Sequence, residues 1–247
     1  GVARSVRHSL RHGEFNKAIR VLQKLHSGDI AQVIMELKPP EQVRVFSFLV
    51  RENKKLAAET ITDLGLEQAI IMLTSLTVQD TSSILQEVEI DDRAAFISDL
   101  PKKLSGQILE NMSLGESIQV QGLLQYEKET AGRIMTPNVF ALEENLSVNE
   151  AIKTIQKTDE FEMVFYLYVV DDHGHLVGVV SLRQLLMNNP RTPLKTIMSS
   201  EMISVSTDMD QEEVANQVAL YDLLAIPVVD YANKLVGVIT VDDVIDV

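Results

Sequence analysis

The chain has 247 residues, with 22 Lys and Arg against 36 Asp and Glu, a formal charge of −14; 45% of it is apolar and 23% charged. That is ordinary globular usage, long enough for one large domain or two of average size. Zero Cys excludes disulfides, thiolate metal sites and Cys nucleophiles, and fits a reducing compartment. The longest stretch free of Asp, Glu, Lys and Arg lies between Glu67 and Asp80, twelve residues, whereas a spanning helix needs about 20 apolar ones. The start, Gly1 to Leu10, is basic but has no apolar run behind it, so no secretory leader is read there.

Charge is unevenly spread. Residues 1–130 hold 15 basic and 18 acidic side chains, residues 131–247 hold 7 and 18. From Asp208 to Val247 nine carboxylates face one Lys234. Such a surface repels phosphate backbones, which argues against nucleic acid and leaves cations or basic surfaces as partners; a solubilising acidic face explains it equally well.

In chain order, residues 3–26 read as longer helices. Between residues 56 and 116 the apolar anchors Leu64, Leu76, Val88, Leu100 and Met112 fall twelve apart, with apolar pairs at helical spacing between them. Each period reads as a helix of about two turns and a tight corner, with Asp80, Asp91 or Pro101 suited to the next helix start. Helices so short must stack on neighbours. Residues 1–127 are therefore expected to form an all-α superhelix.

Past the acidic linker Tyr126–Thr130 the texture turns to strand runs of Val, Tyr and Ile broken by Asp, Gly and Pro. A longer repeat appears. Ile134-Met-Thr136 matches Ile197-Met-Ser199, Tyr168-Val-Val-Asp171 matches Pro227-Val-Val-Asp230, and Leu176-Val-Gly-Val-Val-Ser181 matches Leu235-Val-Gly-Val-Ile-Thr240. The offset falls from 63 to 59, so the first copy has four extra residues around Asp159 to Met163. Each copy reads strand, helix, strand, turn, strand, helix, over residues 128–190 and 191–247, with the last helix of the second cut short. The fold class is multidomain, α followed by α+β.

These paired units, with the Met135-Thr-Pro137 lead-in, the Pro227-Val-Val-Asp230 strand and the Gly237-Val-Ile-Thr-Val-Asp-Asp243 exit, resemble a tandem of CBS domains. The superhelix before them, joined through Glu129-Thr-Ala-Gly-Arg-Ile-Met-Thr-Pro137, resembles the intracellular portion of the MgtE family of magnesium transporters. The resemblance implies a homodimer, paired through its CBS domains, on the cytoplasmic face of the cell membrane. It would continue into a membrane domain beyond Val247 and favour the closed channel when Mg2+ is plentiful. It also implies the ligands: Asp91 on a superhelix corner, Glu212 and Asp222 in the second CBS unit, Asp243 and Asp246 on its last helix, and main-chain carbonyls at Gly132 and Ala219. Where the family often has a second Asp one turn after Asp91, this chain has Ala95, so the resemblance implies a site there with fewer ligands or one that uses Asp92.

The chemistry is consistent with that implication. Mg2+ prefers six oxygens at about 2.0 to 2.1 Å and keeps several waters, so one or two carboxylates per ion suffice. Asp243 and Asp246, three apart, share a helix face; their place in a first turn is also what helix capping favours. Facing carboxylates 4 Å apart repel by about 4 kcal/mol at an effective dielectric of 20. An ion at ten times its dissociation constant contributes about 1.4 kcal/mol, and a full switch takes about 5.5, so roughly four weak sites are needed.

Three rival readings stand beside this one. CBS tandems often bind adenine nucleotides, ATP or AMP, and Thr240 with Asp243 resemble the ribose-contacting pattern, while the first copy has Ser181 with Gln184 and a nearby Arg183 for a phosphate. An enzyme finds little support: there is no phosphate loop and no His-Glu-x-x-His helix, His8 and His12 sit on a basic helix, and His173 and His175 lie in a turn. A scaffold that merely dimerises would use helix faces such as Val214, Val218 and Tyr221.

Overall fold

The computed structural model describes residues 2–137, 139–158 and 166–245. Asp246 and the four extra residues of the first copy lie outside them. The chain divides into two compact units, residues 1–122 and 123–247.

The first unit is built from helices α1 (Val2–Arg11), α2 (Phe15–Leu22), α3 (Ser27–Met35), α4 (Pro39–Glu52), α5 (Lys54–Asp63), α6 (Leu66–Thr74), α7 (Val78–Leu85), α8 (Ile90–Asp99), α9 (Lys102–Asn111) and the start of α10 (Leu114–Leu124). Alternate helices stack: α1, α3, α5, α7 and α9 form one row, and α2, α4, α6 and α8 the other. One superhelical turn thus takes two of the twelve-residue periods. The anchors Val88, Leu100 and Met112 are buried at the corners, between helix faces of Ile84, Leu85, Phe96, Ile97 and Ile108.

Corners are made by local hydrogen bonds. Asn53 Oδ1 accepts the Leu56 N–H at 3.1 Å to start α5, and Thr77 Oγ1 accepts the Asp80 N–H at 3.1 Å to start α7. Asp80, expected to open that helix, is its third residue, and its carboxylate accepts the Thr77 hydroxyl at 2.9 Å. The expected longer helices over residues 3–26 are two, of ten and eight residues, within the eight-to-fourteen range of the helices that follow in this unit. Gly13, at φ +72°, takes the left-handed conformation just past α1 and stops it. Arg93, buried in α8, donates to the carbonyls of Gln86 and Val88 at 2.9 Å and pairs with Glu116 at 3.3 Å, tying one corner to α10.

The second unit contains α11 (Ala131–Ile134), β1 (Ala141–Glu143), α12 (Val148–Gln156), β2 (Leu167–Val170), β3 (Leu176–Val180), α13 (Leu182–Met187), α14 (Leu194–Ile197), β4 (Val205–Ser206), α15 (Gln211–Leu220), β5 (Ala225–Val229), β6 (Leu235–Thr240) and α16 (Val241–Val244). Each copy has a three-stranded mixed sheet, β1-β2-β3 and β4-β5-β6, whose first pair is parallel and second antiparallel.

The lead-in of each copy belongs to the sheet of the other. Thr136 exchanges backbone hydrogen bonds with Val238 of β6 at 2.8 and 3.0 Å, and Ser199 with Val179 of β3 at 2.9 Å each. Met135 thereby lies on Gly237 and Met198 on Gly178. A Cβ at Gly237 would overlap the Met135 sulfur, and one at Gly178 would meet Met198 Sδ at 2.6 Å and the Ser199 carbonyl at 3.0 Å. That close approach is why both positions are glycine.

Candidate functional site

The expected ligands of the second CBS copy that the structure describes lie at three helix ends, the start of α16 and both ends of α15. At the β6–α16 corner, Asp243 Oδ2 accepts the Thr240 N–H at 2.9 Å and the Thr240 hydroxyl at 2.7 Å, a reciprocal cap that starts the helix. Burial pushes the Asp243 carboxyl above its ordinary range, and these two hydrogen bonds only partly offset that. Asp242 beside it is exposed. The first copy has the same corner in neutral form: Gln184 Oε1 accepts the Ser181 N–H at 2.8 Å, and Gln184 Nε2 donates to the Ile197 carbonyl at 2.8 Å. Arg183 is exposed there. Of the four residues expected to face a nucleotide, Thr240, Asp243 and Gln184 hold helix starts and Arg183 is exposed.

Helix α15 carries the rest. Asp210 caps it, its Oδ1 accepting the Glu212 N–H at 2.8 Å, and Glu212 is exposed. At the other end Leu223 N–H bonds the Val218 carbonyl at 3.0 Å and Asp222 N–H the Ala219 carbonyl at 3.4 Å, with Asp222 at φ +50°. This is the left-handed closure usually given to Gly or Asn. Asp222 is exposed at this turn. Gly132, in α11, donates its N–H to the Thr207 carbonyl at 2.8 Å. A Cβ there would meet the Tyr126 ring at 2.6 Å, so the absence of a side chain is explained by packing.

In the first unit Asp91 and Asp92 occupy the first turn of α8; Asp91 is buried, while Asp92 and Ala95 are half-buried. Among the described residues no three His, Cys, Asp or Glu side chains converge on one point. Among them also, none of the carboxylates from Asp208 to Asp243 forms an ion pair with a basic side chain.

Two further expectations are corrected or completed. Val214 and Val218, expected on an exposed face, are buried, so their i, i+4 stripe is turned inward. Of that set Tyr221 is exposed, together with Leu220 and Leu224, which the sequence reading left out. Tyr168 was also missed. Among the described residues its phenol is buried without a hydrogen-bond partner, in a cluster where Leu176 of one copy meets Val229 and Leu235 of the other, and burial pushes it up. His173 and His175 follow Asp171, whose carboxylate accepts both of their backbone N–H groups and, at 2.8 Å, the His175 ring N–H, so turn chemistry accounts for them.

A stacked superhelix followed by two sheets that exchange their lead-ins defines a helical-repeat protein with a tandem CBS pair. Residues 25–129 match the MgtE intracellular N domain, and residues 131–189 and 194–247 match the CBS domain. The chain is 34% identical, over its whole length, to a magnesium transporter MgtE of Thermus thermophilus, and 32% identical over 96% of its length to one of Bacillus subtilis. It spans about half of those relatives, 55% and 52%. Among solved structures, it is similar to the cytosolic domain of the Mg2+ channel MgtE in complex with ATP, at 34% identity and a TM-score of 0.87 over 99% of both chains. It is also similar to the soluble part of a magnesium transporter, at 30% identity and 0.79, over 99% of this chain and 96% of that one. The chain belongs to the MgtE family. Among the described residues no helix is long and apolar enough to cross a membrane.

Proposed function

We propose that this chain is the Mg2+-sensing regulatory region of a magnesium transporter, acting as a homodimer paired through its CBS domains at the cytoplasmic membrane face. Its three parts, residues 1–127, 128–190 and 191–247, precede a membrane domain. The single observation that carries the reading is the set of carboxylates from Asp208 to Asp243, which among the described residues have no basic partner, on a chain of this family. An unneutralised acidic face is one that a divalent cation stabilises, and Mg2+ asks only one or two carboxylates per ion beside its own water. Asp222 and Glu212 are the exposed ligands of this proposal, with the Ala219 and Gly132 carbonyls. Asp243 and Asp246 contribute from the last helix, and Asp91 and Asp92 from the superhelix. Bound ions offset the mutual repulsion of these groups and favour the compact, channel-closing state.

The test is small-angle scattering and thermal unfolding of the fragment from zero to 20 mM Mg2+ (a range of our choosing, on the order of the millimolar affinities open sites show), with KCl at matched ionic strength. Compaction and a higher Tm with Mg2+ alone support the reading; equal effects of both salts mean charge screening and remove it. Asp222→Asn is the sharpest variant, because Asn also tolerates the left-handed turn. It should fold normally and shift the Mg2+ midpoint upward.

A second reading concerns ATP, which the similar cytosolic domain of the Mg2+ channel MgtE holds. Here Thr240, Asp243, Gln184 and Arg183 would face the nucleotide. Calorimetry with ATP and with AMP, without Mg2+, tests it, and retained affinity in Thr240→Ala with Arg183→Met would remove these residues from it.

A further inference from the structure

The strongest feature left unused by this reading lies in the first unit. Residues 1–55 hold eleven Lys and Arg against five Asp and Glu, whereas the remaining 192 hold eleven against thirty-one. Within this basic segment a cleft of about 190 Å³ is lined by Leu10, Arg11, Phe15, Pro40, Glu41 and Arg44. The Arg44 guanidinium lies 3.9 Å above the Phe15 ring, and Phe15 is itself stacked on Phe48 with centroids 4.9 Å apart. Arg44 is therefore oriented before any ligand arrives, by a contact that leaves its N–H edge free to donate. Arg11, at the end of α1, is exposed, and among the described residues neither Arg is paired with a carboxylate. The acidic side chain on the wall, Glu41, is engaged in starting α4, its Oε2 accepting the Lys38 N–H at 3.1 Å. Glu14, next to Phe15 in sequence, is neutralised by Lys17 at 3.1 Å.

The geometry points to an anion site in this cleft, one that takes a small phosphate ester, with Arg11 and Arg44 on the phosphate and Leu10, Phe15 and Pro40 covering an apolar or ring-shaped body. Guanidinium pairs match phosphate oxygens in a way that two ammonium groups do not. The cleft is smaller than the roughly 300 to 1,000 Å³ of sites for drug-sized molecules, so it admits one phosphate and a short body. Two sources present that chemistry, a free phosphate ester and the headgroup of an anionic phospholipid. The site is independent of the Mg2+ and ATP readings, since it uses none of their residues.

The test uses the whole 247-residue chain and two probes, phenyl phosphate and vesicles of phosphatidylglycerol with phosphatidylcholine, against KCl and pure phosphatidylcholine vesicles as controls. The Nε–H resonances of Arg11 and Arg44 should move saturably with a probe, and Arg11→Met with Arg44→Met should weaken binding about tenfold, as losing charge-assisted hydrogen bonds does. Lys103→Met, on an exposed position of α9, should leave it unchanged. Saturation by phenyl phosphate identifies a free ester as the source, and saturation by the anionic vesicles alone identifies the headgroup. Resonances that follow KCl as closely as either probe, or equal affinity in the double variant, would overturn the site. The resonance shifts are read on the unmodified chain, so they decide the matter even if the double variant fails to fold.

Discussion

The two CBS copies share a backbone plan and differ in their chemistry. Both have the mixed sheet, the methionine resting on a sheet glycine and the reciprocal cap at the last corner. Yet the residue closing that cap is neutral Gln184 in the first copy and Asp243 in the second. Helices α12 and α15 reach similar caps, Lys157 at φ −92° and Tyr221 at φ −104°, but α15 then turns through Asp222 at φ +50°. The duplicated features are those that packing and backbone hydrogen bonding require; the carboxylates are placed where the fold does not require a charge. A solvated carboxylate in a left-handed turn costs conformational energy that Gly would avoid, and this is where a binding role is best sought.

The comparison can be tested first where the copies should agree. Gly178→Ala and Gly237→Ala should each destabilise the chain by about 1 to 3 kcal/mol, because a methyl group is forced into filled space. Urea unfolding measures this, and Met135→Ala should recover part of the loss in the Gly237→Ala background. Equal stability of either single variant would mean the methionine contacts yield freely. Next in size are the caps: Ser181→Ala and Thr240→Ala should cost about 1 kcal/mol each, read by the same unfolding curves. A much larger cost in the second copy would show that Asp243 depends on Thr240 more than Gln184 does on Ser181.

The end of α15 should break the symmetry. Asp222→Ala should lower stability by about 1 kcal/mol, and Asp222→Gly should leave it level or raise it slightly, since only the left-handed conformation is at stake. A thermal melt of each, without Mg2+, separates this cost from any loss of cation binding. The smallest effect lies at the β2–β3 turn. Partial desolvation draws the Asp171 carboxyl upward, but the hydrogen bonds from the His175 ring and from the His175 and His173 N–H groups outweigh it and hold it at about 2. Its contribution is therefore present above the ordinary carboxyl value of about 3.8 and is lost as pH falls toward 2. A carboxyl NMR titration should show that depressed midpoint in the wild type and a higher one in His175→Asn.

Much of this plan was legible in the sequence, because both repeats are written in local terms. Apolar anchors twelve apart produce corners whether or not the neighbours are known, and Val-rich runs bounded by Asp and Gly produce hairpins. What stayed hidden is non-local. The methionines and glycines of both copies were visible as repeated words, but nothing in their spacing says that Met135 covers the glycine of the second copy and Met198 that of the first. Val214 and Val218 were read on the wrong side of α15, because an i, i+4 apolar pair marks a face without saying which way it turns. The Asp222 turn was hidden for another reason: Asp seldom adopts positive φ, and composition gives no sign of it. For the candidate ligands, residue type and helix position were readable, and burial was not, so Asp91 and Asp222 looked alike although one is buried and the other exposed.

The exchange of lead-ins has an evolutionary corollary. A single copy of this sheet, alone on a polypeptide, would leave the edge of its third strand without the segment that Thr136 or Ser199 supplies, an exposed edge of the kind that recruits other chains. An ancestral one-copy protein could complete itself by borrowing that segment from a twin molecule, as in domain swapping. Fusing two such copies in tandem turns the loan into an internal bond and makes the pair the smallest heritable unit. Splitting a gene of this kind between Asn188 and Thr192 should therefore yield two pieces that are soluble only when expressed together.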